Sequence, residues 1–283
     1  MKNNFIFFLM LLNPFSATSA MEIPLTFDKS LLPMSNVTIN GVSGEFMIDT
    51  GSLTPFHFSK EFIAKTPGVK VTGEKERSMD LSGRIYTNDK FLIDKAMING
   101  MPFNYVEGVS LTPWGLVLEN GEKPDSMVIG LKLFKDKVIL IDYEKKKLSV
   151  VENISQLKTD LSQWISLPLV VNEEGVTIEI KNGNQKYKMN LDTGATLSLF
   201  WKERIKTDYD AISCEEVMSN LDQNNCNAMK VLVNGAENKL IINTMLVDGD
   251  FKHMNVDGVI GNNFIRNHKI LIDFPNNKLF IKP

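Results

Sequence analysis

The two halves of this 283-residue chain contain the same segment at a constant spacing. Residues 128–150 align on residues 259–281 in a single register without a gap. Each copy has Val-Ile-Gly, an apolar run that ends in Asp and an aromatic residue, and a second strand-like run. A repeat of about half the chain predicts two lobes of the same fold related by an approximate two-fold axis. Gly, Asn, Asp and Pro are spread between short apolar runs, which is typical of short strands joined by turns.

The triplet Asp-Thr-Gly also occurs once in each half, at the end of an apolar, strand-like run. The copies are Asp49-Thr50-Gly51 and Asp192-Thr193-Gly194. The interval from the aspartate to the glycine of Val-Ile-Gly runs from 49 to 130 in the first half and from 192 to 261 in the second. Because the first interval is the longer one, the first lobe has additional residues in its middle. Since the triplets occupy equivalent places in two similar halves, we predict that their carboxylates meet between the lobes.

Two facing carboxylates are suited to the activation of water. At a separation of a few ångströms they do not both ionise cheaply, so they share one proton and titrate as a pair. The ionised member accepts a proton from water, and the protonated member polarises a carbonyl group. Gly51 and Gly194 lack the Cβ that would obstruct a close approach of the two turns. Thr50 and Thr193 provide hydroxyl groups for hydrogen bonds across the junction.

The segments 46–52 and 189–196, each followed by an apolar-apolar-Gly motif, resemble the pepsin and retropepsin group of aspartic proteases. The resemblance covers nearly all of residues 22–283 and is most specific at the two triplets and the two Val-Ile-Gly motifs. It implies a mainly β, bilobal fold of two β-barrel-like lobes with a cleft between them. It also implies endopeptidase activity with Asp49 and Asp192 as the catalytic pair. We place a first lobe at 21–155 and a second lobe at 156–283.

The same resemblance implies supporting loops and a β-hairpin flap over the cleft. The supporting residues are Thr50, Gly51, Ser52, Thr193, Gly194 and Ala195, and the flap residues at the substrate are Asp80, Leu81, Ser82 and Gly83. Pepsin-like flaps usually carry a tyrosine near the tip, but here the nearest, Tyr86, lies past it. The tip is therefore more similar to the tyrosine-free flap of retropepsins.

The residue after each triplet differs between the halves. Ser52 has a hydroxyl that is able to donate to the neighbouring carboxylate, whereas Ala195 has none. Loss of a donor to the charged form raises a carboxyl pKa. We therefore expect a pH optimum less acidic than that of the gastric enzymes of this group.

The N-terminus has the layout of a signal peptide. Lys2 precedes an apolar run at 5–12, and small residues lead to Ala20, where we predict cleavage. The run is shorter than the ~20 residues that span a bilayer, although an N-terminal membrane anchor is the alternative. We expect a soluble protein exported to a periplasm or secreted, of a bacterial type and without a long pro-segment.

Cys214 and Cys226 are the two cysteines of the chain. In an oxidising compartment this pair predicts a disulfide, and two reduced thiols are the alternative.

Other residues point to no further chemistry. His57, His253 and His268 lack the spacing of metal ligands, so we expect no metal and no cofactor. We assign the three histidines to surface or structural positions, with a functional role for His57, near the first loop, as the alternative. Asp142 and Asp273, at matched positions, are interpreted as turn residues. Trp114 and Phe103 are assigned to packing, with cleft lining as the alternative. A net charge of −3 does not favour nucleic acid as a partner.

The resulting hypothesis is a monomeric, exported aspartic endopeptidase that cleaves peptide or protein substrates in extended form. The alternative is a catalytically silent peptide-binding protein on the same fold.

Overall fold

A computed structural model describes residues 20–79, 83–112, 125–219, 226–236 and 239–283. Residues 1–19 and 80–82 lie outside these ranges, as does Trp114, so the predicted signal peptide and most of the predicted flap tip are not described. Within the ranges the chain is mainly β, and no helix there is long and apolar enough to cross a bilayer.

The first half forms β1 to β11 and a short helix, α1. The strands are β1 (Met21–Pro24), β2 (Thr26–Phe27), β3 (Pro33–Ile39), β4 (Val42–Asp49), β5 (Phe56–Phe58), β6 (Val69–Met79), β7 (Ile85–Ile98), β8 (Met101–Ser110), β9 (Met127–Gly130), β10 (Val138–Asp142) and β11 (Lys147–Val151), with α1 (Lys60–Lys65) after β5. Single 3-10 turns occupy Leu131–Phe134 and Ile154–Leu157.

The second half forms β12 to β22 and α2. The strands are β12 (Ile165–Pro168), β13 (Val170–Asn172), β14 (Gly175–Asn182), β15 (Gln185–Leu191), β16 (Leu199–Trp201), β17 (Ala211–Ile212), β18 (Ala228–Val233), β19 (Ile241–Val247), β20 (Gly258–Ile260), β21 (Lys269–Asp273) and β22 (Lys278–Lys282), with α2 (Asn262–Ile265) after β20. Its 3-10 turns are Lys202–Arg204 and Cys214–Glu216.

The two halves have the same sheet topology. The first sheet has the order β2-β3-β4-β9-β5-β8-β7-β6 and is closed by pairing of β3 with β7. The second has the order β13-β14-β15-β20-β16-β19-β18-β17 and is closed by β14 with β18. The parallel pairs β4–β9 and β15–β20 correspond, as do the parallel pairs β5–β8 and β16–β19. The prediction of two barrel-like lobes from the repeat is confirmed.

A third sheet, of order β1-β11-β10-β21-β22-β12, contains strands from both halves. At its centre β10 and β21 are antiparallel, with Leu140 opposite Leu271. These leucines are equivalent positions of the repeat, so the pseudo-two-fold axis passes between them. All residues of β10 are buried, which explains its continuous apolar sequence.

Each lobe has its own packed interior. In the first, Phe46, Phe56, Phe58 and Phe91 are fully buried, and Phe58 stacks on Phe91 with ring centroids 5.0 Å apart. In the second, Trp201 stacks on Phe251 at 4.0 Å. Phe103, a candidate for cleft lining, is 6% exposed and belongs to the first-lobe core.

The predicted disulfide between Cys214 and Cys226 is confirmed, with the two Cα atoms 6.2 Å apart. Cys214 begins the 3-10 turn Cys214–Glu216, and Cys226 precedes β18. The bond lies beside the cluster that contains Trp201 and Phe251. It therefore ties the Cys214–Glu216 turn to the start of β18 in the second lobe.

The sequence that follows each Asp-Thr-Gly triplet, at 59–66 and at 201–207, is helix-like, but the two stretches differ in the structure. The first contains α1, capped by the Ser59 side chain, whereas the second contains the end of β16 and the 3-10 turn Lys202–Arg204. There the Arg204 guanidinium donates to the Phe251 and Met254 carbonyls, and these tertiary bonds hold the segment in a turn.

The two matched aspartates are turn residues, as the sequence predicted. Asp142 Oδ1 accepts from the Lys145 N–H, and Asp273 Oδ1 accepts from the Asn276 N–H.

Candidate active site

The carboxylates of Asp49 and Asp192 face each other between the lobes. Asp49 is the last residue of β4, and Asp192 follows β15 directly. A Cβ placed on Gly51 would lie 2.5 Å from Asp192 Cγ, and one on Gly194 would lie 2.7 Å from Asp49 Cγ. Each turn thus presses against the carboxylate of the other lobe, and no side chain larger than hydrogen fits at either glycine. The structure brings together the two aspartates that the sequence predicted to meet.

A reciprocal set of hydrogen bonds joins the two turns. The Thr50 N–H donates to Thr193 Oγ1 at 2.9 Å, and the Thr193 N–H donates to Thr50 Oγ1 at 3.0 Å. The Thr50 hydroxyl donates to the Leu191 carbonyl at 2.8 Å, and the Thr193 hydroxyl donates to the Ile48 carbonyl at 2.7 Å. Because both threonines are buried, these bonds form where water does not compete, and they fix one turn relative to the other.

Backbone donors hold each carboxylate in its own turn. Asp49 Oδ1 accepts from the Gly51 N–H at 2.8 Å and the Ser52 N–H at 3.2 Å. Asp192 Oδ1 accepts from the Gly194 N–H at 2.7 Å. These bonds orient the side chains and favour their ionised forms.

Burial opposes ionisation of the pair. The pKa of Asp49 is raised well above its usual value, first by burial and then by the charge of Asp192. The pKa of Asp192 is also raised by burial, against the lowering effect of its hydrogen bonds, although part of its surface remains accessible. Two such groups in contact hold one proton between them and titrate as a unit.

Ser52 does not follow the role that the sequence suggested. Its backbone N–H donates to Asp49, but its hydroxyl lies 2.9 Å from His57 Nε2 and, at longer range, 3.4 Å from the Thr54 carbonyl. The expected hydroxyl donation to the carboxylate is therefore wrong, because His57 on the adjacent strand β5 provides a nearer partner. Burial lowers the pKa of His57 to about 4, so the ring is neutral above that pH.

His57 is thus a neighbour of the site whose role sequence reasoning assigned to structure or surface. Its signal was its position five residues after Ser52, in an alternating Phe-His-Phe strand. The flanking phenylalanines are buried in the core, and the alternation directs the histidine to the opposite face of the strand.

Sequence reasoning missed Tyr143 and Asn262 entirely. The Asn262 carboxamide donates from Nδ2 to the Thr193 carbonyl at 2.8 Å and accepts at Oδ1 from the Tyr143 hydroxyl at 3.0 Å. Asn262 follows the glycine of the second Val-Ile-Gly motif, where the first half has Leu131. That exchange of a leucine for an asparagine in a repeat was the available signal.

The strands β6 and β7 form the hairpin that was predicted as a flap. Ser78 pairs with Tyr86 and Met79 with Ile85, so Tyr86 lies in the returning strand. Of the predicted flap residues, Asp80, Leu81 and Ser82 lie outside the described ranges. Gly83 has a φ of +78°, and a Cβ there would lie 3.9 Å from His253 Cε1 in the second lobe. The end of the hairpin therefore approaches the opposite lobe.

The other two histidines do not belong to the site. His253 is exposed, whereas the His268 ring stacks on Phe264, and its Nδ1 lies 2.9 Å from the Phe264 carbonyl oxygen. Within the described part of the chain, no three His, Cys, Asp or Glu side chains are grouped closely enough to hold a metal ion.

No family model and no curated protein sequence matches the chain. Solved structures do match. Basic 7S globulin from soybean has a TM-score of 0.60 at 8% identity, and the match covers 95% of the globulin and 93% of this chain. The aspartic proteinase from Irpex lacteus has a TM-score of 0.58 at 14% identity, and the match covers 97% of that proteinase and 93% of this chain. The fold is that of the pepsin-like aspartic proteinases. At these identities the likeness concerns the fold alone. One of the two similar structures is named a globulin and the other a proteinase.

Proposed function

We propose that this pepsin-like chain is an aspartic endopeptidase with Asp49 and Asp192 as its catalytic residues. The observation that carries the proposal is the contact of each carboxylate with the glycine of the opposite turn. A fold that served only as a scaffold would have no need to bury two carboxyl groups against each other. Because each carboxyl group disfavours ionisation of the other, the pair keeps one proton over a range of pH in which one group is ionised and the other is protonated.

In the proposed reaction a water molecule lies between the two carboxyl groups and the scissile carbonyl. The ionised carboxylate takes a proton from the water as its oxygen attacks the carbonyl carbon, while the protonated carboxyl donates to the carbonyl oxygen. The C–N bond of the resulting tetrahedral intermediate then breaks as the protonated carboxyl group donates its proton to the leaving amine, while a hydroxyl group of the intermediate gives a proton to the ionised carboxylate and becomes the carbonyl of the product acid. The two groups therefore end with one proton between them, as they began.

We propose a peptide held in extended form as the substrate. The long antiparallel hairpin of β6 and β7 supports this, because a strand-like peptide bonds readily to such a backbone. The Thr54 hydroxyl donates to Glu76 of β6 at 3.2 Å and so connects the hairpin, near the turn end of β6, with the segment that follows the Asp49 turn.

The alternative is a peptide-binding protein without turnover. The tyrosine position past the hairpin tip and the similarity to a protein named as a globulin keep this candidate open. An unstructured protein incubated at several pH values separates the two. If the protein is an enzyme, the wild type should cleave this substrate and should be retained on pepstatin-agarose. Cleavage should be lost in Asp49→Asn and in Asp192→Asn. Cleavage that persists in either variant would refute the assignment of the pair.

We further propose export to a periplasm or the medium, in a bacterial type of cell, with cleavage after Ala20. The composition of residues 1–20 supports this, and the disulfide is compatible with an oxidising compartment. Lobes at 21–155 and 156–283 and a monomeric state are part of the same proposal. N-terminal sequencing of the mature protein and its mass in solution test these points.

A further inference from the structure

One buried residue, through its backbone and its side chain, holds both ends of the loop that follows Asp192. Asn262 is 0% exposed. Its backbone N–H donates to the Ala195 carbonyl at 2.8 Å, and its Nδ2 donates to the Thr193 carbonyl at 2.8 Å. The Gly194 N–H, which donates to Asp192, lies between these two attachment points. The position of Asn262 therefore determines where that donor lies.

Asn262 is in turn held from the other half of the chain. Its Oδ1 accepts from the hydroxyl of Tyr143, which follows β10 of the first half and is 7% exposed. Burial raises the pKa of Tyr143, and the charges of Asp192 and Asp49 raise it further, so the phenol remains a neutral donor over the working pH range. The hydroxyl fixes the orientation of the carboxamide, because the other end of the amide must then face Thr193.

The repeat shows that this arrangement is peculiar to the Asp192 side. The equivalents of Asn262 and Tyr143 in the other half are Leu131 and Phe274, in the same register as the rest of the repeat. The Leu131 N–H donates to the Ser52 carbonyl at 2.8 Å, which reproduces the backbone bond. Leucine and phenylalanine have no polar group that would reproduce the side-chain bonds. Since the first half forms the same fold without these side-chain bonds, the fold does not require them. Their presence next to Asp192 alone therefore points to a role at that carboxylate.

We propose that Tyr143 and Asn262 are positioning residues that set the proton affinity of the Asp49–Asp192 pair by holding the Gly194 N–H on Asp192. The inference rests on the proposed function for its kinetic consequences, but its effect on ionisation does not depend on turnover. A displaced loop weakens a donor to the ionised carboxylate, and loss of such a donor raises a carboxyl pKa.

The test uses the residue that the repeat itself has at the equivalent position. In Tyr143→Phe we expect the acid limb of the pH–kcat/KM profile to move to higher pH and kcat to fall about three- to tenfold, with KM unchanged. Tyr187→Phe is the matched control, because Tyr187 is also buried and its hydroxyl accepts a bond from the Lys206 N–H, away from the pair. That variant should leave the acid limb where it is.

A second measurement is independent of activity. In protein labelled with ¹³C at the aspartate Cγ, an NMR titration follows the carboxyl groups of the pair directly, and we expect them to titrate at higher pH in Tyr143→Phe than in the wild type. Asn262→Leu should shift the titration in the same direction. Titrations of Tyr143→Phe and wild type that superimpose, or an equal shift in Tyr187→Phe, would overturn the inference. A wild type that shows the expected titration but cleaves no substrate would instead refute the proposed function alone.

Discussion

At the scale of single residues, two chemically identical aspartates have different surroundings. Next to Asp49, the Ser52 hydroxyl is bonded to His57. Asp192 has Ala195 in place of serine, and the residue of β16 equivalent to His57 is Leu199. The polar support of the pair is therefore divided unequally between the lobes, and two substitutions test the consequences.

The first substitution is Ala195→Ser. The new hydroxyl faces no histidine, because Leu199 lies where the other lobe has His57, so we expect it to donate to Asp192. A donor to the charged form lowers the pKa, and the acid limb of the pH–rate profile should move to lower pH. Ser52→Ala is the control and should move it less, since that hydroxyl is not bonded to Asp49. A wild-type optimum near pH 2, or an unchanged profile in Ala195→Ser, would contradict the expectation of a less acidic optimum.

The second substitution is His57→Gln, which keeps a polar partner for Ser52 but does not titrate. The pKa of His57 is lowered from 6.5 to about 4 in the fold, so the unfolded chain takes up the proton first as the pH falls. The wild type should lose stability between pH 6.5 and 4, by at most about 3 kcal/mol at pH 4.5. Urea unfolding at pH 7 and pH 4.5 measures this, and the variant should lack that part of the loss. Equal losses in both proteins would show that His57 does not titrate as proposed.

At the scale of elements, the site depends on two turns that end equivalent strands, β4 and β15. Neither turn forms the site alone, since the Thr50 hydroxyl accepts from and donates to the opposite turn, as does the Thr193 hydroxyl. The geometry of the pair is thus a property of the junction between the elements.

Thr50→Val tests that junction. Valine keeps the shape of threonine but leaves the Thr193 N–H and the Leu191 carbonyl without partners, so we expect a loss of about 2–4 kcal/mol in the free energy of unfolding. Activity should fall by about 100-fold, because a small displacement of reacting groups is sufficient for that. Thr50→Ser keeps the hydroxyl group and should retain most of the stability and most of the activity of the wild type. Denaturant unfolding measures the stability and kcat/KM the activity, and a serine variant as impaired as the valine variant would contradict the prediction.

At the scale of the whole molecule, the six-stranded sheet makes the two lobes one structure. Its strands come from the beginning, middle and end of the described chain, and β10 pairs with β21 across the pseudo-axis. Residues of both lobes and of this sheet belong to one continuous buried cluster. We therefore expect the lobes to unfold together.

Ile272→Ala tests this cooperativity. Ile272 is fully buried in β21 opposite Ile139, so the substitution should cost about 2–5 kcal/mol. Hydrogen exchange of the Trp201 amide in the second lobe and of the Phe46 and Phe91 amides in the first should report the same loss. Ile241→Ala is the control, because Ile241 is 44% exposed and should have little effect. A first lobe that keeps its protection while the second unfolds would show two independent units.

The amino-acid sequence was sufficient to predict the two strand-rich lobes, the facing aspartates and the Cys214–Cys226 bond, because the repeat of half the chain makes the two triplets equivalent and the two cysteines are close in sequence. Three features could be recognised only in the folded chain: Ser52 bonds to His57, 201–207 contains a 3-10 turn in place of a helix, and Tyr143 reaches Asn262 in the other half of the chain. Those outcomes depend on which side chains meet when strands pair and lobes close. A periodic pattern records which face of a strand is buried, but not which polar group lies against it from a distant part of the chain.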